Sequence, residues 1–137
     1  MNDKERKIIY VCSPCRGNVA ANVSWAKLYT ELVLRSGHTP ITPHAFYTEY
    51  LDDDNPQERA LGLEAGISLL RRCDEVWIFG TTITDGMQAE IAIARTLDIP
   101  VRRAQLYSTL SPAVKCKRFP QPLKVVFVEV EQWKNGK

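Results

Sequence analysis

The sequence predicts a three-layer, Rossmann-like or flavodoxin-like α/β fold: a parallel sheet of about five strands with flanking helices. Two observations carry that expectation. Short apolar runs rich in β-branched residues alternate with longer segments whose apolar residues recur every three or four positions. Glycine, proline or asparagine marks most of the switches between them. Such alternation calls for crossovers between parallel strands, and right-handed crossovers place helices over both faces of one sheet. The 137 residues suit a single core, so residues 1–137 are expected to form one domain.

The first strand is Lys7-Ile8-Ile9-Tyr10-Val11-Cys12, closed by Ser13-Pro14. From Asn18 to about Ser36 the period is helical. Val19, Val23, Ala26, Tyr29, Leu32 and Val33 share one face, and Gly37 supplies the C-terminal stop. Thr39-Pro40-Ile41-Thr42 is a short second strand ended by Pro43-His44, and residues 45–55 read as a loop with an acidic centre, Asp52-Asp53-Asp54. Asn55 then caps a second helix, with Pro56 at its first position and Glu58 in its first turn. This helix runs to about Arg72, with Ala60, Leu63, Ile67 and Leu70 inward. Asp74-Glu75-Val76-Trp77-Ile78-Phe79 is the third strand, Gly80 to Asp85 a polar loop, and Met87 to Leu97 a third helix. Ile99-Pro100-Val101 opens a fourth strand, residues 103–122 read as loop or a short helix, and Lys124 to Val130 forms the last strand.

Composition narrows the function. Hydrophobic residues make up 45% and charged residues 25%, ordinary values for a soluble globular chain. The net charge is +2 with the cations scattered, which argues against a nucleic-acid polymer as partner. The apolar stretch from Ile8 to Cys12 is too short for a signal core or a membrane span, so a cytoplasmic protein without membrane contact is expected. Cys12, Cys15, Cys73 and Cys116 are irregularly spaced, which favours thiols over a disulfide framework.

In such a fold ligands sit at the carboxyl ends of the strands. Three clusters fall there: Cys12-Ser13-Pro14-Cys15-Arg16-Gly17-Asn18, then Pro43-His44, then Gly80 to Glu90. The first has the makings of a phosphate cradle, since helix N-terminal amides, Gly17 and Arg16 all favour an oxyanion. An ordinary turn with a surface arginine is the competing reading, because neither GxxxxGK[ST] nor GxGxxG is present. Cys12 and Cys15 match C-x-x-C, read either as a redox pair or as buried, quiet thiols. Asp85 is read as a helix N-cap with Glu90 one turn on, or as part of a carboxylate pair able to attack an anomeric carbon and manage a leaving group. His44 is either bonded to backbone at the core edge or in contact with substrate. No cluster offers a metal shell, so no metal and no cofactor is expected.

Taken in order along the strands, these pieces resemble the nucleoside 2-deoxyribosyltransferase-like superfamily, including its deoxynucleoside-monophosphate N-glycosidases. The landmarks are Ile9-Tyr10-Val11-Cys12-Ser13-Pro14 with Arg16-Gly17, Pro43-His44, Cys73-Asp74-Glu75-Val76-Trp77, Asp85-Gly86-Met87-Gln88-Ala89-Glu90 and Ile99-Pro100-Val101. The resemblance spans about residues 7–102 and looks closest to a small branch of that group. It implies Glu90 as the nucleophile at C1′, with Asp74 orienting it and Asp85 assisting the base. It implies a phosphate turn of Ser13, Arg16, Gly17 and Asn18, with His44, Gly86 and Met87 also contacting substrate. Cys15 stands where relatives commonly carry an aromatic residue.

The expected activity is cleavage or exchange of the N-glycosidic bond of a (deoxy)nucleoside 5′-monophosphate. The alternative is a non-catalytic nucleotide sensor of the same fold, and a thiol-redox protein using Cys12 and Cys15 is more distant. The resemblance also allows a homodimer or higher homo-oligomer, since relatives complete their sites across subunits, with Tyr107, Phe127 and Trp133 as candidate contacts.

Overall fold

In the computed structural model, residues 5–15, 18–108 and 123–128 are described here. The elements run β1 (Ile8–Cys12), α1 (Val19–Arg35), β2 (Thr39–Ile41), α2 (Pro43–Phe46), a 3₁₀ turn (Tyr47–Glu49), α3 (Pro56–Leu70), β3 (Glu75–Ile78), α4 (Asp85–Thr96), β4 (Val101–Ser108) and β5 (Leu123–Val128). They form one sheet in the order β2-β1-β3-β4-β5. That is the flavodoxin-like winding, with β1 and β3 side by side at the centre. β2, β1, β3 and β4 are parallel, whereas β5 is antiparallel to β4. The four parallel strands are those of the expected parallel α/β sheet, and β5 adds an antiparallel edge to it.

Successive side chains of a strand face opposite ways, and β1 and β3 are apolar on both sides. Ile9, Val11, Trp77 and Phe79 pack under α1 against Tyr29, Leu32 and Val33. Tyr10, Cys12, Val76 and Ile78 pack on the other face against Leu70 of α3 and Met87, Ile91 and Ala94 of α4. The helix ends follow the local chemistry. Asn18 and Asn55 cap α1 and α3 through their side chains, Pro56 opens α3, and Gly37 takes a φ of +93° just beyond α1.

Several boundaries differ from the sequence reading. Residues 103–108 continue β4 rather than forming a loop or helix, because Arg103 to Ser108 pair backbone to backbone with Val128 to Leu123 of β5. Pro43 begins a short helix rather than only ending the second strand, so residues 45–49 are helical where a loop was expected. On α3, Ala60 and Leu63 are exposed and Gly66 takes the inward place with Leu70. Residues 109–122, 129 and 130, Cys116 and Trp133 lie outside the described residues, as does the side chain of Tyr107. No disulfide joins the described cysteines Cys12, Cys15 and Cys73. No helix among the described residues is long and apolar enough to cross a membrane.

Candidate functional site

From β1 the chain winds one way to β2, and beyond β2 it returns past β1 to β3. This reversal leaves a crevice beyond the carboxyl ends of β1 and β3. A cavity of about 360 Å³ occupies it, bounded by the end of β1, the Pro43–Tyr47 turn, one side of α3 and the first turns of α4. Gly80, two residues beyond β3, has a φ of +96°, and a Cβ there would lie 3.2 Å from Pro14. Glycine at this point lets the β1 and β3 exits run close together.

Glu90 sits in the second turn of α4 and lines the cavity. Its carboxyl reaches back to β1, where the Tyr10 hydroxyl donates to Oε2 and the Cys12 thiol lies 3.8 Å from Oε1. Burial pushes the Glu90 carboxyl up to about 7, although the bonds from Tyr10 and Cys12 pull the other way. Burial, then the neighbouring Glu90 charge, drives the Tyr10 hydroxyl and the Cys12 thiol well above their usual ranges. Both are therefore neutral donors at pH 7. A fully buried thiol held in this way lacks the low-pKa, accessible character of a redox cysteine.

Across the cavity, Ser13 Oγ and His44 Nε2 are 2.8 Å apart. Burial lowers His44 to about 4, so its ring is neutral at pH 7. This pair offers hydroxyl and imidazole hydrogen bonds without a fixed charge. Thr84, not Asp85, is the N-cap of α4, and its hydroxyl accepts from the Met87 N–H at 3.2 Å. Asp85 therefore falls inside the first turn, at the cavity wall, where the helix dipole favours an anion. Gly86 and Met87 line the same wall, and Met87 also fills the core below.

The structure thus brings Ser13, His44, Asp85, Gly86, Met87 and Glu90 to one cavity. Asp74 is not among them. It stands before β3 at the opposite end of the sheet, where its carboxylate accepts from the Ile8 N–H at 2.7 Å. Four residue steps along the strand carry the chain from it to Ile78, which is level with Cys12. That is about 13 Å, too far to orient Glu90. Asn18 does not line the cavity either, because its side chain accepts from the Ala21 N–H as the cap of α1. Arg16 and Gly17 lie outside the described residues. No group of three or more metal-binding side chains occurs among the described residues.

Sequence reasoning did not single out Tyr10 for the site, nor the α3 wall made by Gly62 and Gly66. The available signals were slight: a hydroxyl two residues before Cys12 in an otherwise apolar strand, and two glycines one turn apart within a helix.

Among solved structures, a 2-deoxyribosyltransferase from the psychrotolerant bacterium Bacillus psychrosaccharolyticus is similar, with a TM-score of 0.57. Identity is 17% and the match covers 70% of each chain, a likeness in fold. No curated protein matches the sequence. Residues 7–104, which run from the start of β1 into β4 and include every lining residue named above, match the family described as Domain of unknown function (DUF7768). The chain belongs to that family.

Proposed function

We propose that the protein cleaves or exchanges the N-glycosidic bond of a (deoxy)nucleoside 5′-monophosphate, with Glu90 as nucleophile. One observation carries this reading. In a fold like that of a 2-deoxyribosyltransferase, a carboxyl gripped by a tyrosine hydroxyl opens into a cavity at the carboxyl ends of the central strands. A Glu90 oxygen attacks C1′ as the C1′–N bond breaks, and the departing base takes a proton from solvent, with Asp85 beside it. Water then releases the sugar phosphate and restores the carboxylate, or an incoming base nitrogen does so and the base is exchanged. Tyr10 holds the glutamate, the role that Asp74 is too distant to fill. The phosphate lies on Ser13, Arg16, Gly17 and the start of α1 at Asn18, where helix amides carry partial positive charge. This remote anchor supplies binding energy that orients C1′ toward Glu90.

The test is chromatography of each common (d)NMP after incubation with wild type and Glu90→Ala. Free base appears with wild type and falls to background with the variant. Base release that survives the substitution removes Glu90 from the mechanism. A second reading, a nucleotide sensor without turnover, draws on the absence of Asp74 from the cavity, which leaves Glu90 without that expected partner. It predicts calorimetric binding of a nucleotide that needs Arg16, with no product at high protein concentration.

A further inference from the structure

Gly66 lies in the interior of α3, is buried, and forms part of the cavity wall. Glycine is a poor helix former, so its place here calls for a packing reason. The reason lies across the gap. A methyl group built on Gly66 would stand 3.3 Å from the Tyr10 hydroxyl oxygen, with Pro43 Cβ and Cγ each 3.9 Å away. The Tyr10 ring is enclosed by the core and cannot retreat as a whole. A side chain at position 66 would therefore displace the hydroxyl itself, and that hydroxyl is the donor to Glu90. Gly62, one turn earlier on the same wall, is different: a methyl there would meet Leu51 Cδ1 at 3.3 Å, not Tyr10.

We propose that Gly66 is a positioning residue whose missing side chain keeps the Tyr10 hydroxyl on the Glu90 carboxyl. Its bearing on rate rests on Glu90 being the reacting group, as proposed above. The contact itself does not, so the test reads the ionisation of Glu90 directly.

Carboxyl carbons of ¹³C-glutamate-labelled protein are titrated by NMR, with the Glu90 signal assigned by its loss in Glu90→Gln. A displaced donor supports the carboxylate less well, so the Gly66→Ala midpoint should rise by about half a pH unit, roughly threefold in the ionisation constant. Tyr10→Phe should raise it at least as far. Adding Gly66→Ala to Tyr10→Phe should change nothing more, because the atom the methyl disturbs is gone. Gly62→Ala should leave the midpoint where it is. A merely structural glycine would move the melting temperature and not this midpoint. The proposal fails if Gly66→Ala folds with an unchanged midpoint, or if its shift persists at full size beside Tyr10→Phe. Should Gly66→Ala not fold, recovery of folding by the added Tyr10→Phe supports the contact. Failure of both variants to fold overturns it, since the methyl would then be meeting something other than the hydroxyl.

Discussion

A buried glutamate and a half-buried one occupy opposite ends and opposite faces of the same sheet, and their surroundings lead to opposite chemistry. Glu75, at the start of β3 on the α1 face, is 4% exposed. It is bonded to Lys7 Nζ at 2.6 Å and Trp77 Nε1 at 2.9 Å, with Arg102 Nε at 3.3 Å. Burial alone would raise its carboxyl, but the Lys7 and Trp77 bonds and the Arg102 charge outweigh that and hold it below its ordinary value. Glu90, at the other end on the α3 and α4 face, is held by the neutral donors Tyr10 and Cys12, and burial wins. Desolvation acts on both. The difference is whether cations answer it. A paired carboxylate is a fastener, whereas a carboxyl left near neutrality beside a cavity is a candidate reagent.

The largest expected effect is at the reactive end. Glu90→Gln should lower base release by on the order of 10³-fold or more, as removal of a nucleophile does. In wild type, kcat/KM should rise about tenfold per pH unit below the Glu90 midpoint near 7 and level off above it, because the proposed mechanism needs the carboxylate form. Stability should run the other way. A carboxyl raised in the folded state contributes stability fully present below its ordinary 4.5 and lost as pH rises through about 7. Glu90→Gln should therefore gain on wild type, by on the order of 1 kcal/mol, between about pH 5 and pH 8. Paired denaturation curves at the two pH values check this. An activity profile flat through pH 7 would separate Glu90 from the rate-limiting chemistry.

Next in size is Glu75→Gln, which should leave turnover within about twofold and cost about 1–3 kcal/mol of stability, since Lys7 and Arg102 lose their anion while remaining half in water. Glu75 is depressed, so its contribution is present above its ordinary 4.5 and lost as pH falls. The gap between variant and wild type in denaturant midpoint should close on acidification. A gap that widens toward acid would contradict the pairing.

The same contrast accounts for what was legible in the sequence. β1, α1, the Asn55-Pro56 start of α3 and β3 announce themselves locally, through apolar runs, helical period and caps within a few residues of one another. The outer part of β4 does not. Arg102-Arg103-Ala104-Gln105 looks like loop until Arg102 is seen against Glu75 and Phe127. Glu90 and His44 were legible because they lie next to strand ends or helix starts. The partner of Glu90 was not, because Tyr10 is 80 residues away and only the β1–β3 pairing with α4 across it brings them together. Asp74 shows the converse. It adjoins the strand that leads to the site, yet a strand has two ends, and four residues carry it from one to the other.

Asp74 supplies the smallest and most discriminating change. Its carboxylate accepts one hydrogen bond, from the Ile8 N–H, in an exposed position where water can replace it. Asp74→Ala should cost about 0.5–1 kcal/mol and leave kcat/KM and the Glu90 midpoint within about twofold of wild type. If Asp74 instead oriented the nucleophile, its loss would depress kcat and move the acid limb of the pH profile at nearly unchanged stability. The two outcomes differ in kind as well as in size, so steady-state kinetics at two pH values beside one denaturation curve separates them. A large kinetic loss would mean that the N-terminal end of β3 communicates with the cavity by a route other than contact. The expected small one confines Asp74, with Glu75, to the end of the sheet that holds the fold together.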